Sequence, residues 1–310
     1  MGQPNLPADL EGRVKAFDAM LIAMSQQLPP TNPGISTKDV AVNDNVTVRL
    51  YHPPGADGKK LPLIVFAHGG GWIAGNLDTE DHICQVVCGD VNCIVMSVAY
   101  RLVPATSFPT PIDDVAAAFD YAHQNTNNLG ACGVYLWGGS AGGALVLAVA
   151  YQLQRKNRIS DLAGLVLMAP MFLHPDACPE KYKHLHRSWT ELSGPIPLVT
   201  ADDCMKSYHG FGLAPPYEGD DERRNWFPLT IGPETLKGMP RTYIINCEIE
   251  CMRDDGTVAE AQMIDAGVDV KRVVLPGLPH YFWSFPVEKA GLRFRDTLVK
   301  GVKWMLELQS

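Results

Sequence analysis

Ser140 stands in Gly138-Gly139-Ser140-Ala141-Gly142, between the apolar run Val134 to Trp137 and an Ala/Leu/Val-rich stretch from Ala141 to Gln154. A serine at such a strand-to-helix turn is forced into a strained backbone, and flanking glycines let strand and helix approach closely. Its hydroxyl is then an exposed candidate nucleophile; a serine that merely caps the helix is the plain alternative. The string alone is weak because glycine and serine are common, and its position between the two runs is what raises it. A second pattern, His68-Gly69-Gly70-Gly71-Trp72, directly follows the apolar run Leu63 to Ala67. Successive glycines let backbone N–H groups converge on one point with no Cβ in the way, which suits an anion forming on a carbonyl oxygen. This is a candidate oxyanion hole, set against a glycine-rich turn of no functional meaning. Of nine histidines only His280 lies beyond residue 209, in a loop after the apolar run Val270 to Leu275. Where the base follows nucleophile and acid in chain order, elimination leaves His280.

These residues need a frame to bring them together. Short apolar runs at Leu63 to Ala67, Ile94 to Ala99, Val134 to Trp137, Leu165 to Met168, Tyr243 to Asn246 and Val270 to Leu275 read as strands buried on both faces. Helical patterns lie at Ile112 to His123, Ala141 to Gln154, Gly256 to Ala266 and Leu292 to Leu308. The alternation predicts an α/β fold, a mostly parallel central sheet flanked by helices, with the chemistry at the strand ends. Ahead of it, Val40 to Val42 and Val46 to Tyr51 flank Asn43-Asp44-Asn45 as an antiparallel hairpin would. Val14, Phe17, Leu21 and Met24 recur at helical spacing, widened by Met20, before the Pro29-Pro30 stop. Core packing is the plain reading of that stripe and a substrate-facing lid the other. About seventy residues separate Pro170 from Tyr243, far more than a crossover needs, and Trp189, Phe211, Trp226 and Phe227 within them suggest a helical cap over the strand ends. No repeat or Pro/Gly-rich linker divides the chain, so one domain is expected over 1–310, with cap elements at about 1–35 and about 174–235.

Composition narrows the function classes. Of 310 residues 46% are hydrophobic and 19% charged, and 26 Lys+Arg against 34 Asp+Glu give a net charge of −8. That is neither a disordered chain nor one with the basic surface a nucleic acid requires. Eight cysteines include no C-x-x-C pair, and His184 and His186 would not share a helix face, so no metal site is expected. The first residues, Met1 to Leu6, are polar and lack the apolar core of an export signal; cytoplasmic residence with reduced thiols is the expectation, and the sequon Asn45-Val46-Thr47 is read as incidental. The longest apolar runs are too short to cross a bilayer, which excludes a membrane partner and favours soluble small molecules. Tyr281, Phe282, Trp283 and Phe285 either line an apolar pocket or pack against the last helix.

Jointly these motifs resemble the hormone-sensitive-lipase-like carboxylesterases of the α/β-hydrolase fold. The resemblance rests on His68 to Trp72, on Tyr100-Arg101-Leu102-Val103-Pro104 with Phe108-Pro109 and Asp113-Asp114, on Gly138 to Gly143, and on Gly277 to His280. The overall flavour is similar to fungal members, some of which deacylate secondary metabolites. What the resemblance implies is a serine esterase without a cofactor, working through an acyl-enzyme on a small apolar or aromatic ester. Ser140 would be the nucleophile, His280 the base, and the N–H groups of Gly70, Gly71 and Ala141 the oxyanion hole, beneath a cap made from the N-terminal helix and the segment after Pro170. Homodimers are common among similar proteins, and the amphipathic final helix is the candidate contact.

Two departures stand out. The family usually has Asp before the nucleophile where this chain has Gly139, so a polar anchor is lost, which would loosen the elbow or make room for a bulkier acyl group. The family's acid is normally Asp in an Asp-Pro-Leu-x-Asp stretch, and the aligned segment reads Glu250-Cys251-Met252-Arg253-Asp254-Asp255, which makes Glu250 the acid. Glutamate serves, because the carboxylate need only orient the imidazole and stabilise its cation. Rivals are Glu248, nearer the strand, and Asp254, whose place suits a helix N-cap better. Cys247 and Cys251 flank this loop and are expected to be buried and inert. The same machinery would also serve an acyltransferase or a cyclase that releases a biosynthetic intermediate. A non-catalytic ligand receptor on this scaffold is the remaining alternative, although receptors resembling the family lack the base that His280 supplies here.

Overall fold

Eight short runs rich in branched and aromatic residues form the strands of the computed structural model: β1 (Ser36–Ala41), β2 (Thr47–His52), β3 (Leu61–Ala67), β4 (Ile94–Ala99), β5 (Ala131–Gly139), β6 (Leu165–Met168), β7 (Thr242–Ile249) and β8 (Val270–Pro279). The structure describes residues 10–29, 31–196, 199–217 and 219–307. The polar opening of the chain, with the first part of the expected N-terminal cap element, lies outside the described residues, as do Pro30 and Leu308. One sheet runs in the order β1-β2-β4-β3-β5-β6-β7-β8. The β1–β2 and β2–β4 pairs are antiparallel and the rest parallel. At the hairpin, Asn43 Oδ1 accepts the N–H groups of Asn45 and Val46, which closes the turn expected there.

Side chains alternate across each central strand, so the sheet divides its apolar residues between two helical layers. In β3, Leu63, Val65 and Ala67 join one core with residues of the helices Thr110–Gln124, Ala141–Arg155 and Arg253–Asp265. Ile64 and Phe66 join the other, with residues of the helices Asp81–Val91 and Glu288–Met305. The helix Asp81–Val91 is absent from the sequence reading. Its apolar face, Ile83, Val87 and Val91, is β-branched and weak in helix preference, and packing in the same core as Phe294 and Leu298 supplies what propensity lacks. The amphipathic stripe of the final helix is spent on the same core, through Phe294, Leu298, Val302 and Met305. Among the described residues no helix is long and apolar enough to cross a membrane. All eight cysteines are free, and only Cys132 is exposed.

The segment between β6 and β7 contains one ten-residue helix, Ala201–Gly210, together with short α- and 3-10 turns, so it is less helical than expected. Two consecutive carboxylates pin it to the sheet. Asp254 Oδ2 accepts the N–H groups of Arg187 and Ser188 at 3.0 and 2.8 Å. The N-cap role expected for Asp254 is therefore not what it does: Met252 occupies the cap position, and Asp254 reaches across to the insertion. Asp255, fully buried, accepts the N–H groups of Phe172 and Leu173, the Trp189 indole N–H, and His186 Nε2 at 2.8 Å. Burial opposes a charge on His186, but its bond to Asp255, helped by the nearby Cys178 sulfur, outweighs this and raises its pKa to about 9. Burial also raises the Asp255 carboxyl, so the pair is less stabilising than the His186 shift alone implies.

Removing Asp255 leaves the buried His186 cation and three N–H donors without a partner. Asp255→Ala is expected to destabilise the fold by about 3 kcal/mol in urea denaturation. Because His186 is raised in the folded state, its contribution is full below its unfolded value near 6.5 and lost as pH rises through about 9. Wild-type stability should therefore decline across that window, and the decline should shrink in His186→Gln.

Candidate active site

Ser140 follows the end of β5 with φ 49° and ψ −119°, a positive-φ conformation that side chains rarely adopt. Its backbone is held from three sides: Ser140 N–H donates to Met168 O at 2.8 Å, and Ser140 O accepts from Gly143 N and Met171 N at 2.9 and 3.1 Å. The turn needs its glycines. A Cβ on Gly138 would lie 2.3 Å from the Gly142 carbonyl oxygen, and one on Gly142 would lie 2.1 Å from that of Ala67. Ser140 sits where a helix cap would, but its side chain makes no capping bond. Its Oγ lies instead 3.0 Å from His280 Nε2.

His280 follows the end of β8, and its Nδ1 lies 2.6 Å from Glu250 Oε2. Glu250 Oε1 accepts the Cys247 N–H at 2.8 Å and the Asn246 side-chain amide at 3.3 Å. Both carboxylate oxygens thus have partners, the charge is fully buried, and Nδ1 is fixed as the protonated nitrogen, leaving Nε2 to accept from Ser140. The rival acids are engaged elsewhere. Glu248 is exposed and accepts the Gly277 N–H at 2.7 Å, while Asp254 holds the insertion. Cys247 and Cys251 are both buried, with Cys251 Sγ 4.0 Å from Cys204 Sγ.

Opposite the elbow, the His68 to Trp72 turn is braced from below. His68 is buried and stacked on Tyr100, whose hydroxyl donates to His68 O at 2.9 Å. Burial lowers the His68 pKa to about 4, so its ring is neutral, with Nδ1 2.7 Å from Gly69 O. Trp72, also buried, donates its indole N–H to Ala141 O at 3.1 Å, linking this turn to the elbow. Gly70 and Gly71 have φ of 117° and 62°, and a Cβ on Gly70 would strike the Ala74 carbonyl at 2.2 Å. No hydrogen bond joins the N–H of Gly70, Gly71 or Ala141 to an acceptor among the described residues. The Tyr100-Arg101 and Asp113-Asp114 motifs meet here: buried Asp114 accepts the N–H, Nε and Nη2 of Arg101, which positions Tyr100 under His68.

Ser140, His280, Gly70 and Gly71 line one cavity of about 490 Å³ whose remaining wall is mostly apolar. The helix Leu10–Ser25 supplies Val14, Phe17, Met20 and Leu21, so the stripe read first as core packing faces the cavity, and Asp18 ties this helix to the glycine turn through Gly75 N–H at 2.9 Å. The insertion supplies Val199, Cys204 and Ser207. The aromatic residues after His280 divide: Tyr281 and Phe285 line the cavity, whereas Phe282 and Trp283 pack on Phe294 of the last helix.

Sequence reasoning missed Glu80, buried at the cavity wall with Oε2 accepting the Gly69 N–H at 2.8 Å and the Tyr281 hydroxyl at 3.0 Å. The acidic pair Glu80-Asp81, opening an apolar stripe just after a glycine turn, was the available signal. The room expected beside Gly139 is not there. Its vacant side-chain space holds the Tyr281 hydroxyl, 2.3 Å from where a Cβ would be, so the space is already filled and offers no room for a larger acyl group.

Comparison with known proteins agrees with this geometry. A family model described as alpha/beta hydrolase fold matches residues 64–284. The chain is 33% identical over 303 residues to a versiconal hemiacetal acetate esterase of Dothistroma septosporum, covering 96% of this chain and 90% of that protein. It is 31% identical over 247 residues to the carboxylesterase NlhH of Mycobacterium tuberculosis, covering 78% and 72%. Among solved structures, vibralactone cyclase superposes with a TM-score of 0.83 at 27% identity, covering 99% of this chain and 92% of that one.

On this geometry Ser140 is expected to be an activated hydroxyl only while Glu250 holds His280 in the right tautomer. Covalent labelling of Ser140 by a fluorophosphonate should slow by about 10³- to 10⁴-fold in Glu250→Gln. Asp254→Asn, which keeps an acceptor for the insertion, should label at close to the wild-type rate. Fast labelling of Glu250→Gln would remove Glu250 from the relay.

Proposed function

The chain belongs to the hormone-sensitive-lipase-like family of the α/β-hydrolase fold, and on that premise we propose that it hydrolyses a small apolar or aromatic carboxylic ester through an acyl-enzyme. The observation that carries this reading is the unbroken Ser140–His280–Glu250 chain at the floor of an apolar cavity, opposite main-chain N–H groups that have no other acceptor among the described residues. Ser140 Oγ attacks the ester carbonyl as its proton passes to His280 Nε2. The carbonyl oxygen becomes an oxyanion held by the N–H groups of Gly70, Gly71 and Ala141, each such donor contributing about 3 kcal/mol to the transition state. Glu250 stabilises the imidazolium that results. Collapse expels the alcohol, protonated by His280, and leaves the acyl group on Ser140. Water, deprotonated by the same imidazole, then releases the acid and restores the serine.

The helix Leu10–Ser25 and the segment between β6 and β7 act as the cap of a single hydrolase domain, and their side chains select the substrate. Ester groups fit this cavity when both flanks are apolar, since Phe17, Met20, Leu21, Ile73, Met171 and Phe285 offer little to hydrogen-bond. Secondary-metabolite esters are one such class, and the Dothistroma septosporum relative is a versiconal hemiacetal acetate esterase. A receptor function fits poorly, because a binding protein has no use for an intact relay.

Hydrolysis is tested with 4-nitrophenyl acetate. Release of nitrophenol that disappears in Ser140→Ala is expected, and its absence from the wild-type protein would overturn the reading. Phe17, on the cap side of the cavity, contacts the substrate body and not the reacting bond. Phe17→Ala should raise KM for 1-naphthyl acetate by about tenfold, with kcat changed less than about twofold.

A further inference from the structure

Gly139 and Gly69 face one another across the space beside the nucleophile, and a phenol lies between them. A Cβ on Gly139 would sit 2.3 Å from the Tyr281 hydroxyl, and one on Gly69 would sit 2.1 Å from the same atom. Tyr281 therefore occupies a slot that exists only because both positions lack side chains. From that slot its O–H donates to Glu80 Oε2 at 3.0 Å, and the same oxygen accepts the Gly69 N–H at 2.8 Å. Glu80 is 7% exposed, which is a costly place for a carboxylate without a task.

We propose that Glu80 and Tyr281 are positioning residues that clamp Gly69 and so aim the N–H groups of Gly70 and Gly71 at the oxyanion, in place of an anchor on residue 139. The peptide before Gly69 is held by Glu80 through its N–H, and the peptide after it by His68 Nδ1 on its carbonyl at 2.7 Å. With both planes fixed, the turn enters Gly70 in one orientation. A misaimed donor forfeits much of its effect, because oxyanion stabilisation depends on donors arranged before the reaction. Tyr281 immediately follows His280, so the residue that fixes the oxyanion turn is tied by one peptide bond to the base.

The clamp responds to protonation. Burial raises the Glu80 carboxyl to about 7 against the opposing bonds from Gly69 and Tyr281. The other titratable groups facing it are Tyr100 and Cys84, both kept neutral by burial, with Asp81 beside it in the chain and Asp18 on the N-terminal helix near Tyr100. As a carboxylate Glu80 accepts two donors on one oxygen; once protonated it holds Gly69 less firmly.

The kinetic part of this inference rests on the esterase reading, so wild-type turnover of 4-nitrophenyl acetate is measured first and judges that reading alone. Tyr281→Phe keeps the ring and loses the bond to Glu80; kcat should fall roughly tenfold while KM stays within about threefold. Gly139→Asp alone collides with Tyr281 and should be nearly inactive, and Gly139→Asp with Tyr281→Gly should recover at least about tenfold over it. Amide hydrogen exchange at residues 69–71, which needs no turnover, should quicken in Tyr281→Phe and Glu80→Ala. Wild-type kcat in Tyr281→Phe, no recovery in the double variant, or unchanged exchange at these residues would each overturn the clamp.

Discussion

The backbone of Ser140 is the constraint on which the rest of the molecule depends. A non-glycine residue at φ 49°, ψ −119° costs about 1–3 kcal/mol, and it persists only where the surroundings allow no alternative. Here the ends of β5, β6 and β3 close on it together. Met168 and Met171 take its main-chain groups, while Gly142 lies so near the Ala67 carbonyl that no side chain fits. The helix Ala141–Arg155, whose first ten residues are all buried, locks the turn from behind. The sheet is thus a vice, and the hydroxyl projects because the chain has nowhere else to put it.

Burial does the second half of the work. His280 and Glu250 are 2% and 0% exposed, so in the proposed reaction a proton moved onto the imidazole finds the carboxylate at 2.6 Å with little water between them. The exchange of aspartate for glutamate is absorbed locally. Glu250 folds back over the end of β7 to accept the Cys247 N–H three residues earlier, and the additional methylene is taken up in that turn. The exchange at Gly139 is absorbed from a distance, by a tyrosine belonging to the base loop. Both departures from the family pattern thus meet a specific local contact, the Cys247 N–H in one case and the Tyr281 hydroxyl in the other.

How much of this was legible in the sequence follows from how local each signal is. The central strands were legible because burial on both faces makes them continuous apolar runs, and Ile94–Ala99 and Leu165–Met168 match their expected bounds. Glycine runs at strand ends announced the elbow and the opposing turn for the same reason: few other residues can stand there. The helix Asp81–Val91 was hidden because its valines favour strands and only tertiary packing overrules them. Glu80, Asp254 and Asp255 were hidden or misread because a lone carboxylate carries no pattern, and what it accepts from comes from remote segments. The cavity-facing side of the N-terminal helix could not be told from a core-facing side, since an apolar stripe looks alike whether it meets protein or ligand.

Asp254 and Asp255 come four and five residues after Glu250 in a single turn of chain. On the proposed mechanism one short peptide therefore serves both the proton relay and the fastening of the insertion, through Ser188, His186 and Trp189. An engineer who wished to graft a different roof onto this scaffold would have to bring along partners for these two aspartates, or the splice would strain the very loop that carries the relay. The N-terminal helix is tied through Asp18 to the Gly75 N–H, away from the Glu250 loop, so a graft on that wall leaves the loop alone.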